Sequence, residues 1–325
     1  MTLLDRPVEA QEDVPAPIPR SRSLADRLFQ GLLSTSSAVV LAILLATVVF
    51  LAVRGSAALT QGKFGLITDP VWSPDSHHFG MASLLVGSFA IALVAIVIAV
   101  PVSVCLALMI NEYSPRKLRP WLISTVDLLA TIPSIVYGFW GLELVSNLQA
   151  GPAEWLVAHF SFIPIFRTPT PGSYVDSVFA CGLICSLTIV PIVTSITREV
   201  MALAPRDVTE AALGLGGTRW GMVTDVLLPF SRNGILGATL LGFGRGLGET
   251  MIVVLVLSQG NHVTSAIMGP NGLGSVAKEI TENFEAGDAL AKSALVLAGL
   301  VLFASTLAVN SIARVIVERS EAKAS

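Results

Sequence analysis

Charge is scarce in this sequence of 325 residues. Only 13% of the residues are Asp, Glu, Lys or Arg, about half of the proportion in soluble domains. Hydrophobic residues make up 53%, and the mean hydropathy is +0.74. Because so little charge cannot cover a water-exposed surface, the composition excludes an ordinary soluble domain and indicates a membrane protein.

Signatures of covalent chemistry are also lacking. The sequence has no Walker A motif, no metalloprotease histidine pair and no nucleophile elbow. The three cysteines all lie in apolar segments, and His77 and His78 have no companions at metal-ligand spacing. Basic residues cluster near the ends of apolar segments and form no separate patch for nucleic acid. We therefore expect no enzyme activity, no cofactor, no metal site and no nucleic-acid partner.

Long uncharged runs, by contrast, are abundant. A helix needs about 20 mostly apolar residues to cross a bilayer. Six segments meet this requirement and predict an all-α polytopic protein with six transmembrane helices: 32–53, 82–110, 121–142, 177–197, 233–258 and 293–313. The apolar run at 155–166 is too short and too rich in proline to cross, and we interpret it as an external surface or re-entrant piece.

Basic residues predict the orientation of these segments. In bacterial and other cell membranes, Lys and Arg are enriched in cytoplasmic loops. If both termini are cytoplasmic, the inside segments contain most of the 20 basic residues: Arg6, Arg20, Arg22, Arg27, Arg116, Lys117, Arg119, Arg198, Arg206, Arg219, Arg232, Arg314, Arg319 and Lys323. We therefore predict a multi-pass protein of the cell (cytoplasmic) membrane with both termini in the cytoplasm.

The first 23 residues are rich in proline and polar side chains. This composition predicts a disordered cytoplasmic tail over residues 1–23, followed by a transmembrane domain over residues 24–325. The first apolar segment begins too late and is too long for a signal peptide, so we expect it to be retained.

The fifth apolar segment contains a positive and a negative charge. It reads Gly244-Arg245-Gly246-Leu247-Gly248-Glu249-Thr250. A charge at the bilayer centre costs about 2.5–3.5 kcal/mol on insertion scales, so such residues usually face a polar pathway or a protein interior. A guanidinium matches the geometry of oxyanions. Glu249 on the same helix face can neutralise it or accept a hydrogen bond from a protonated oxygen of the anion. The alternative is an ion pair that only fixes helix packing.

One further charge, Asp127, lies within the third segment. It can pair with an arginine of a neighbouring helix or take part in a cytoplasmic gate, and a capping or packing role is an equal alternative.

The segment between the fourth and fifth apolar runs, residues 198–231, is longer than a simple connection requires. Pro205 suits the start of a short helix over 206–213, and the glycines at 214, 216 and 217 end it. Thr218 can cap a second short helix that begins at Arg219. Two short helices around a glycine turn predict a projecting knob that binds a protein partner.

At this point the residues resemble a known family. Glu210-Ala211-Ala212, Gly216, Val226 and Leu228-Pro229 are similar in type and spacing to the EAA loop of ABC importer permeases. The resemblance implies the type I importer fold. It also implies that Glu210, Ala211, Ala212 and Gly216 couple the spans to an ATPase.

A finer resemblance concerns two of the spans. Residues 244–251 look like the fifth-span signature of phosphate importer permeases, and 132–141 look like their third-span signature, closer to the PstC-type than to the PstA-type subunit. The resemblance runs from about residue 24 to 318 and gives nothing specific for the external stretch 146–176. It implies a path for inorganic phosphate that involves Gly244, Arg245, Gly246, Gly248, Glu249 and Thr250.

The implied assembly has a second permease subunit of the PstA type, two cytoplasmic ATPase subunits and an extracytoplasmic phosphate-binding protein. ATP hydrolysis then belongs to the separate ATPase subunits. The external stretch 274–287, with Lys278, Glu279, Glu282 and Glu285, is a candidate docking surface or a solvated amphipathic helix. Alternatives are a sulfate or molybdate permease, a channel or secondary transporter, and a membrane scaffold.

Overall fold

The computed structural model describes residues 24–62, 65–73, 76, 78–148, 151–168, 174, 176–258, 260, 263–269 and 272–322. The predicted tail, residues 1–23, lies outside these described residues. By its internal contacts the chain divides into two units, Met1–Val49 and Phe50–Ser325. Helices predominate, as the sequence predicts, and the one sheet in the described part is a two-stranded hairpin.

The described part of the first unit is a single apolar helix. Helix α1 (Leu24–Gly62) begins there and continues into the second unit. Large apolar side chains such as Leu32, Leu41 and Phe50 are all more than half exposed. A helix that is apolar on every side suits a lipid environment, which agrees with the predicted span at 32–53.

The second unit is built around three long helices, α3 (Ala82–Leu108), α7 (Val178–Ala202) and α10 (Leu228–Leu247). They surround the largest buried apolar cluster, in which Ile91, Ile189 and Val193 are almost fully buried. Small residues such as Ala95 and Ala99 face the neighbouring helices and permit close packing. This arrangement confirms helices at the second and fourth predicted spans.

The third predicted span, 121–142, is not one straight helix. It consists of α4 (Arg119–Thr131) and α5 (Ser134–Leu148), whose axes differ by 95°. Ile132 between them has extended backbone angles, φ −66° and ψ 129°. Proline disfavours the helical conformation of the residue before it, so Pro133 accounts for the break. Pro133, which interrupts the third apolar segment, was expected to kink it, and the structure has a 95° bend there.

The fifth predicted span, 233–258, is also interrupted. The chain passes from α8 (Arg206–Gly214) into α9 (Arg219–Met222), a π-helical turn (Val223–Leu227) and then α10. Helix α10 ends at Leu247, and the short α11 (Met251–Val256) follows after a break. The apolar helix long enough to cross a membrane is therefore Arg219–Leu247, which lies earlier in the chain than predicted.

One end of the second unit contains the hairpin. Strands β1 (Trp72–Ser73) and β2 (His78–Phe79) pair with Trp72 opposite Phe79. Their rings pack edge to face, with centroids 5.3 Å apart. A buried cluster joins this hairpin to the first half of α13 (Ala289–Ala322), and α2 (Gly65–Thr68) and α12 (Val276–Asn283) lie beside it.

The opposite end of the second unit holds a smaller cluster, which joins the end of α3 to the end of α7 and the start of α10. It contains Leu108, Met201, Val223 and Leu227. A π-helical turn, Met109–Tyr113, extends α3 at this end.

In the described residues, five helices are long and apolar enough to cross a membrane, or six if α4 and α5 form one bent span. The apolar run at 155–166 forms α6 (Pro152–Phe160) and a 3₁₀ turn (Pro164–Phe166). Nine residues of α-helix are too few to cross a bilayer, as expected for this segment.

Candidate functional site

A cavity of about 790 Å³ lies along one face of α10. Successive turns of that helix and the residues just after it supply one wall, and one residue of α7 and two residues of α13 complete the lining. Its lining residues are Ile192, Asn233, Gly237, Leu240, Leu241, Gly244, Arg245, Gly248, Glu249, Asn310 and Arg314.

The wall formed by α10 follows the helical repeat. Residues 233, 237, 241 and 245 are each four positions apart, so they share one helix face. From Asn233 to Gly248 this face extends about 22 Å at 1.5 Å per residue. The cavity is therefore elongated along the helix, as a path across a membrane requires.

The two charged residues of the Gly-rich segment occupy different backbone environments. Arg245 is in the last turn of α10 and exposed in the cavity, whereas Glu249 follows the helix and is 7% exposed. The Gly248 amide donates to the Gly244 carbonyl at 3.2 Å and closes the helix. Glycine is a poor helix former, and alternate glycines from 242 to 248 favour termination here.

Within the described part of the chain, no ion pair joins Arg245 to Glu249 within 4.0 Å. The expectation that Arg245 and Glu249 share one helix face was wrong, because α10 ends at Leu247, between the two residues. Both side chains nevertheless line the same cavity. The guanidinium has no hydrogen-bond partner in the described residues and remains available to a ligand.

The glycines of this segment divide into two groups. Gly242 and Gly246 are buried against neighbouring helices, and a Cβ atom at Gly242 would lie 2.8 Å from the Ile189 side chain. A Cβ atom at Gly244 would meet nothing within 4 Å. Gly244 and Gly248 line the cavity. The first group permits close helix packing, and the second leaves space for a solute.

Of the six residues predicted to line a path, four line the cavity: Gly244, Arg245, Gly248 and Glu249. The other two, Gly246 and Thr250, do not line it. The Thr250 hydroxyl donates to the Gly248 carbonyl at 3.3 Å, so it satisfies an acceptor left by the helix end.

Three polar lining residues were missed by the sequence prediction. Asn233, Asn310 and Arg314 lie near the ends of apolar segments, where polar residues are expected for other reasons. The four-residue spacing from Asn233 through Gly237 to Arg245 was the available signal for Asn233. Nothing in the sequence pairs Asn310 or Arg314 with α10.

Asp127 lies on the exposed face of α4, outside the cavity lining. The Ser195 hydroxyl of α7 donates to its Oδ1 at 3.4 Å. The structure thus places Asp127 beside a hydroxyl, and no arginine pairs with it in the described part of the chain.

In the structure the predicted coupling segment comprises residues 203–222, between α7 and the π-helical turn before α10, and it has the two short helices that the sequence predicts. Helix α8 covers 206–214, and Gly216 has φ +90°, a conformation that favours glycine. The Thr218 hydroxyl accepts from the Gly221 amide at 3.0 Å and caps α9. However, α7 extends to Ala202 and a helix begins again at Arg219, so the segment between long helices is shorter than the predicted 198–231.

The surface of this segment is apolar and largely open. Glu210 and Ala211 are exposed, Ala212 is half-buried, and Leu215 is 91% exposed. An exposed leucine of this degree beside the half-exposed Val208 is typical of a surface that binds another protein.

Side-chain hydrogen bonds connect the coupling segment to the ends of the long helices. The Arg219 guanidinium donates to the Glu112 carbonyl at 3.0 Å. One residue earlier, the Asn111 amide donates to the Arg198 carbonyl at 2.8 Å and accepts from Arg119 at 2.6 Å. The π-helical end of α3 is thus bonded to α4, α7 and α9.

The candidate docking helix α12 is largely part of the fold. Lys278 and Glu279 are buried, which contradicts a docking role for these two residues. The Lys278 ammonium donates to the Leu257 carbonyl at 2.6 Å and pairs with Glu282 at 3.2 Å. Burial raises the pKa of the Glu279 carboxyl above its usual value, and the nearby charge of Glu282 raises this pKa further.

The family described as binding-protein-dependent transport system inner membrane component matches residues 99–322. The chain belongs to this family. The match includes the coupling segment, all of α10 and every residue that lines the cavity.

Relatives of this transport family agree over most of their length. The phosphate transport system permease protein PstC of Pasteurella multocida is 33% identical over 88% of this chain and 90% of its own length. PstC of Mesorhizobium japonicum is 33% identical over 94% of this chain and 93% of its own. The probable PstC of Methanocaldococcus jannaschii is 34% identical over 78% and 82%.

A solved structure of a transport-family member supports the fold. It is a bacterial ABC transporter involved in the import of the acidic polysaccharide alginate, with a TM-score of 0.55 and 17% identity. The similarity covers 90% of this chain and 99% of that one. At this identity the comparison concerns the fold alone, which is that of ABC importer permeases.

Proposed function

We propose that this chain is a permease subunit of an ATP-driven importer of inorganic phosphate, in which it forms half of the translocation path. The observation that carries the proposal is the Arg245 guanidinium. This guanidinium lies in an elongated cavity along a helix long enough to cross a membrane, and it has no ion-pair partner among the residues that the structure describes. The relatives named as phosphate permeases, between 31% and 34% identical, support the choice of anion.

The chemistry of the cavity suits phosphate better than a fully ionised oxyanion. A guanidinium donates two parallel hydrogen bonds to a tetrahedral anion. A buried carboxylate accepts from the hydroxyl that phosphate retains near neutral pH, whereas sulfate has no proton to donate and is repelled. Glu249 beside Arg245 in one cavity therefore supports phosphate over sulfate or molybdate.

The proposed assembly contains a second permease subunit of the PstA type, two cytoplasmic ATPase subunits and an extracytoplasmic phosphate-binding protein. Glu210, Ala211, Ala212 and Gly216 belong to the surface that contacts the ATPase. The exposed Leu215 next to them supports this role. ATP is hydrolysed by the separate subunits, and this chain transmits the resulting movement to the spans.

The test of the transport function is uptake into vesicles by the reconstituted complex. Labelled phosphate should accumulate only with hydrolysable ATP and the binding protein. A tenfold excess of unlabelled sulfate should leave the rate unchanged. Accumulation of sulfate instead would assign the chain to the alternative oxyanion. Uptake without the ATPase would assign it to the channel or secondary-transporter class.

We propose that both termini lie in the cytoplasm, together with the coupling segment. The test places single cysteines in a protein lacking Cys105, Cys181 and Cys185. Cysteines at Gly62 and at the exposed Val263 should react with an impermeant thiol reagent in intact cells. Val263 is preferable to Gly272, whose φ of +71° strains any other residue. Labelling at Leu215 under the same conditions would reverse the orientation.

A further inference from the structure

The cavity contains a second guanidinium, that of Arg314 on α13. In the part of the chain that the structure describes, Arg314 has no ion pair and no side-chain hydrogen bond. With Arg245 and Glu249, it gives the cavity two positive charges and one negative charge. These three side chains therefore give the cavity a net positive charge.

Asn310 lies one helical turn before Arg314 and lines the same cavity. Its Oδ1 atom is buried and has no hydrogen-bond partner within the described residues. Residues four apart on a helix are neighbours on its surface. The two side chains thus form one polar site on α13. A buried amide oxygen without a hydrogen-bond donor destabilises the protein unless a ligand or water donates to it.

The position of this site along the membrane axis follows from helix lengths. Ala298 of α13 and Leu84 of α3 belong to the same buried cluster. Arg314 is 16 residues from Ala298, about 24 Å along α13. The turn of α10 near Arg245 packs at Ala92, 8 residues from Leu84 and about 12 Å along α3. Arg314 is then about 12 Å further from the cluster than Arg245.

We propose that Arg314 and Asn310 form a second anion-binding station, between Arg245 and the inner mouth of the path. The inference rests on the proposed function, since the anion is phosphate. Arg314 donates the paired hydrogen bonds that a tetrahedral oxyanion accepts, and Asn310 accepts from its hydroxyl. Several weak stations allow an ion to leave as readily as it enters, whereas a single strong station retains it.

The competing explanation is that Arg314 only sets the topology, as basic residues near span ends do. Arg232 provides a matched control for this explanation. It lies one residue before the cavity-lining Asn233, is exposed and does not line the cavity. A topological role predicts equal effects of removing either charge, whereas a station predicts an effect at Arg314 alone.

The first test is phosphate uptake by the complete reconstituted complex. Arg314→Gln should lower the maximal rate about tenfold, the size expected for loss of charge-assisted hydrogen bonds. Arg232→Gln should stay within about twofold of wild type, and Arg314→Lys should be intermediate because it keeps the charge without the fork. Equal rates for the two glutamine variants would overturn the station.

The second test measures the charge in the cavity without transport. A cysteine replaces Asn310 in the cysteine-free complex, and its reaction rates with an anionic and a cationic methanethiosulfonate are compared. Arg314→Gln should lower the anionic-to-cationic ratio about tenfold, since a unit charge about 6 Å away acts oppositely on the two reagents. Arg232→Gln should leave the ratio unchanged.

The two tests separate this inference from the proposed function. If the wild-type complex accumulates no phosphate but the anionic-to-cationic reaction ratio depends on Arg314, the proposed substrate is wrong and the second anion-binding site is supported. If the wild-type complex accumulates phosphate but the ratio is the same with and without Arg314, the second anion-binding site is refuted and the proposed transport function is supported.

Discussion

The Arg219 guanidinium donates a hydrogen bond to the backbone carbonyl of Glu112 at 3.0 Å, across 107 positions of sequence. Arg219 is the first residue of α9, within the coupling segment, and Glu112 lies in the π-helical end of α3. Helix α3 packs in turn against α7 and α10 around the main core. A displacement of the coupling segment therefore acts directly on a central helix.

Removal of this contact should separate ATP hydrolysis from transport. In Arg219→Ala the Glu112 carbonyl loses a charge-assisted but solvent-exposed bond, worth about 0.5–1.5 kcal/mol. We expect the phosphate transported per ATP hydrolysed to fall by up to about tenfold, while the ATPase still binds. Lys117→Ala, an exposed basic residue in the loop before α4, is the control and should have the wild-type ratio. A normal ratio in Arg219→Ala would remove this bond from the coupling route.

The turn at Gly216 should depend on its positive φ. A Cβ atom there has open space, so Gly216→Ala introduces backbone strain alone, about 1–3 kcal/mol. We expect weaker ATPase association in pull-down assays and lower transport, and a stronger effect for Gly216→Leu. Gly214→Ala is the matched control, because Gly214 also has open space but lies in α8 without a positive φ. Wild-type behaviour of Gly216→Leu would contradict the coupling assignment.

The glycines of α10 should respond to substitution in opposite ways. Gly242→Val places atoms against Ile189 and Val193, so overpacking should lower thermal stability by about 1–3 kcal/mol. Gly244→Val meets no neighbour at its Cβ but enters the cavity, so it should retain stability and lose transport. Melting curves and uptake rates would separate the two effects. Equal stability losses would show that both glycines serve packing.

The charge-swapped variant Arg245→Glu with Glu249→Arg tests the role of the site charges. A structural ion pair would tolerate the exchange, but no such pair exists within 4.0 Å in the described residues. We expect both the swap and Arg245→Gln to assemble and to reduce phosphate uptake about 100-fold, as expected for loss of charge-assisted hydrogen bonds to the anion. Near-normal uptake by the swapped protein would exclude Arg245 from the path.

The buried carboxyl of Glu279 should make stability depend on pH. A raised pKa means that the folded protein holds this proton more tightly than the unfolded chain does. Stability contributed by the protonated form is therefore lost as pH rises from the ordinary glutamate range through the raised pKa. Glu279→Gln keeps an acceptor for Asn283, which now donates at 2.7 Å, and removes the ionisation.

Melting temperatures of the complex from pH 5 to pH 8 would measure this effect. Glu279→Gln should raise the midpoint by a few degrees at the upper end of the range, and the gain should shrink toward the lower end. Glu285→Gln, an exposed carboxyl near the end of the same segment, should give no difference. A gain that does not vary with pH would point to packing instead of ionisation.

Local rules predicted much of this molecule because they act between near neighbours in sequence. Long apolar runs identified the helices at α1, α3, α7 and α13, and turn chemistry identified α8, the Gly216 turn and the Thr218 cap. The cavity residues Gly244, Arg245, Gly248 and Glu249 were also predicted, because charge and missing side chains are unusual at that depth.

The failures concern helix continuity and contacts between distant segments. Hydropathy does not show that α10 ends at Leu247 instead of continuing through the fifth apolar segment, nor how sharply the third segment bends at Pro133. Lys278 and Glu279 have the sequence pattern of a solvated helix. In the fold both side chains are buried, and they form hydrogen bonds with Leu257 and Asn283, respectively. Arg314 of α13 lines the same cavity as α10 only because of tertiary packing, which no local sequence pattern predicts.

The two helix breaks have a joint mechanical consequence. Helix α5 follows the break at Pro133, α11 follows the break after Leu247, and the two pack together where Gly138 faces Ile252 and Leu255. Two residues separate α5 from α4, and three residues separate α11 from α10. Because Ile252 and Val256 of α11 lie in the same buried cluster as Ile189 and Val193 of α7, a movement of this pair at either break must repack the core that holds α7 and α10.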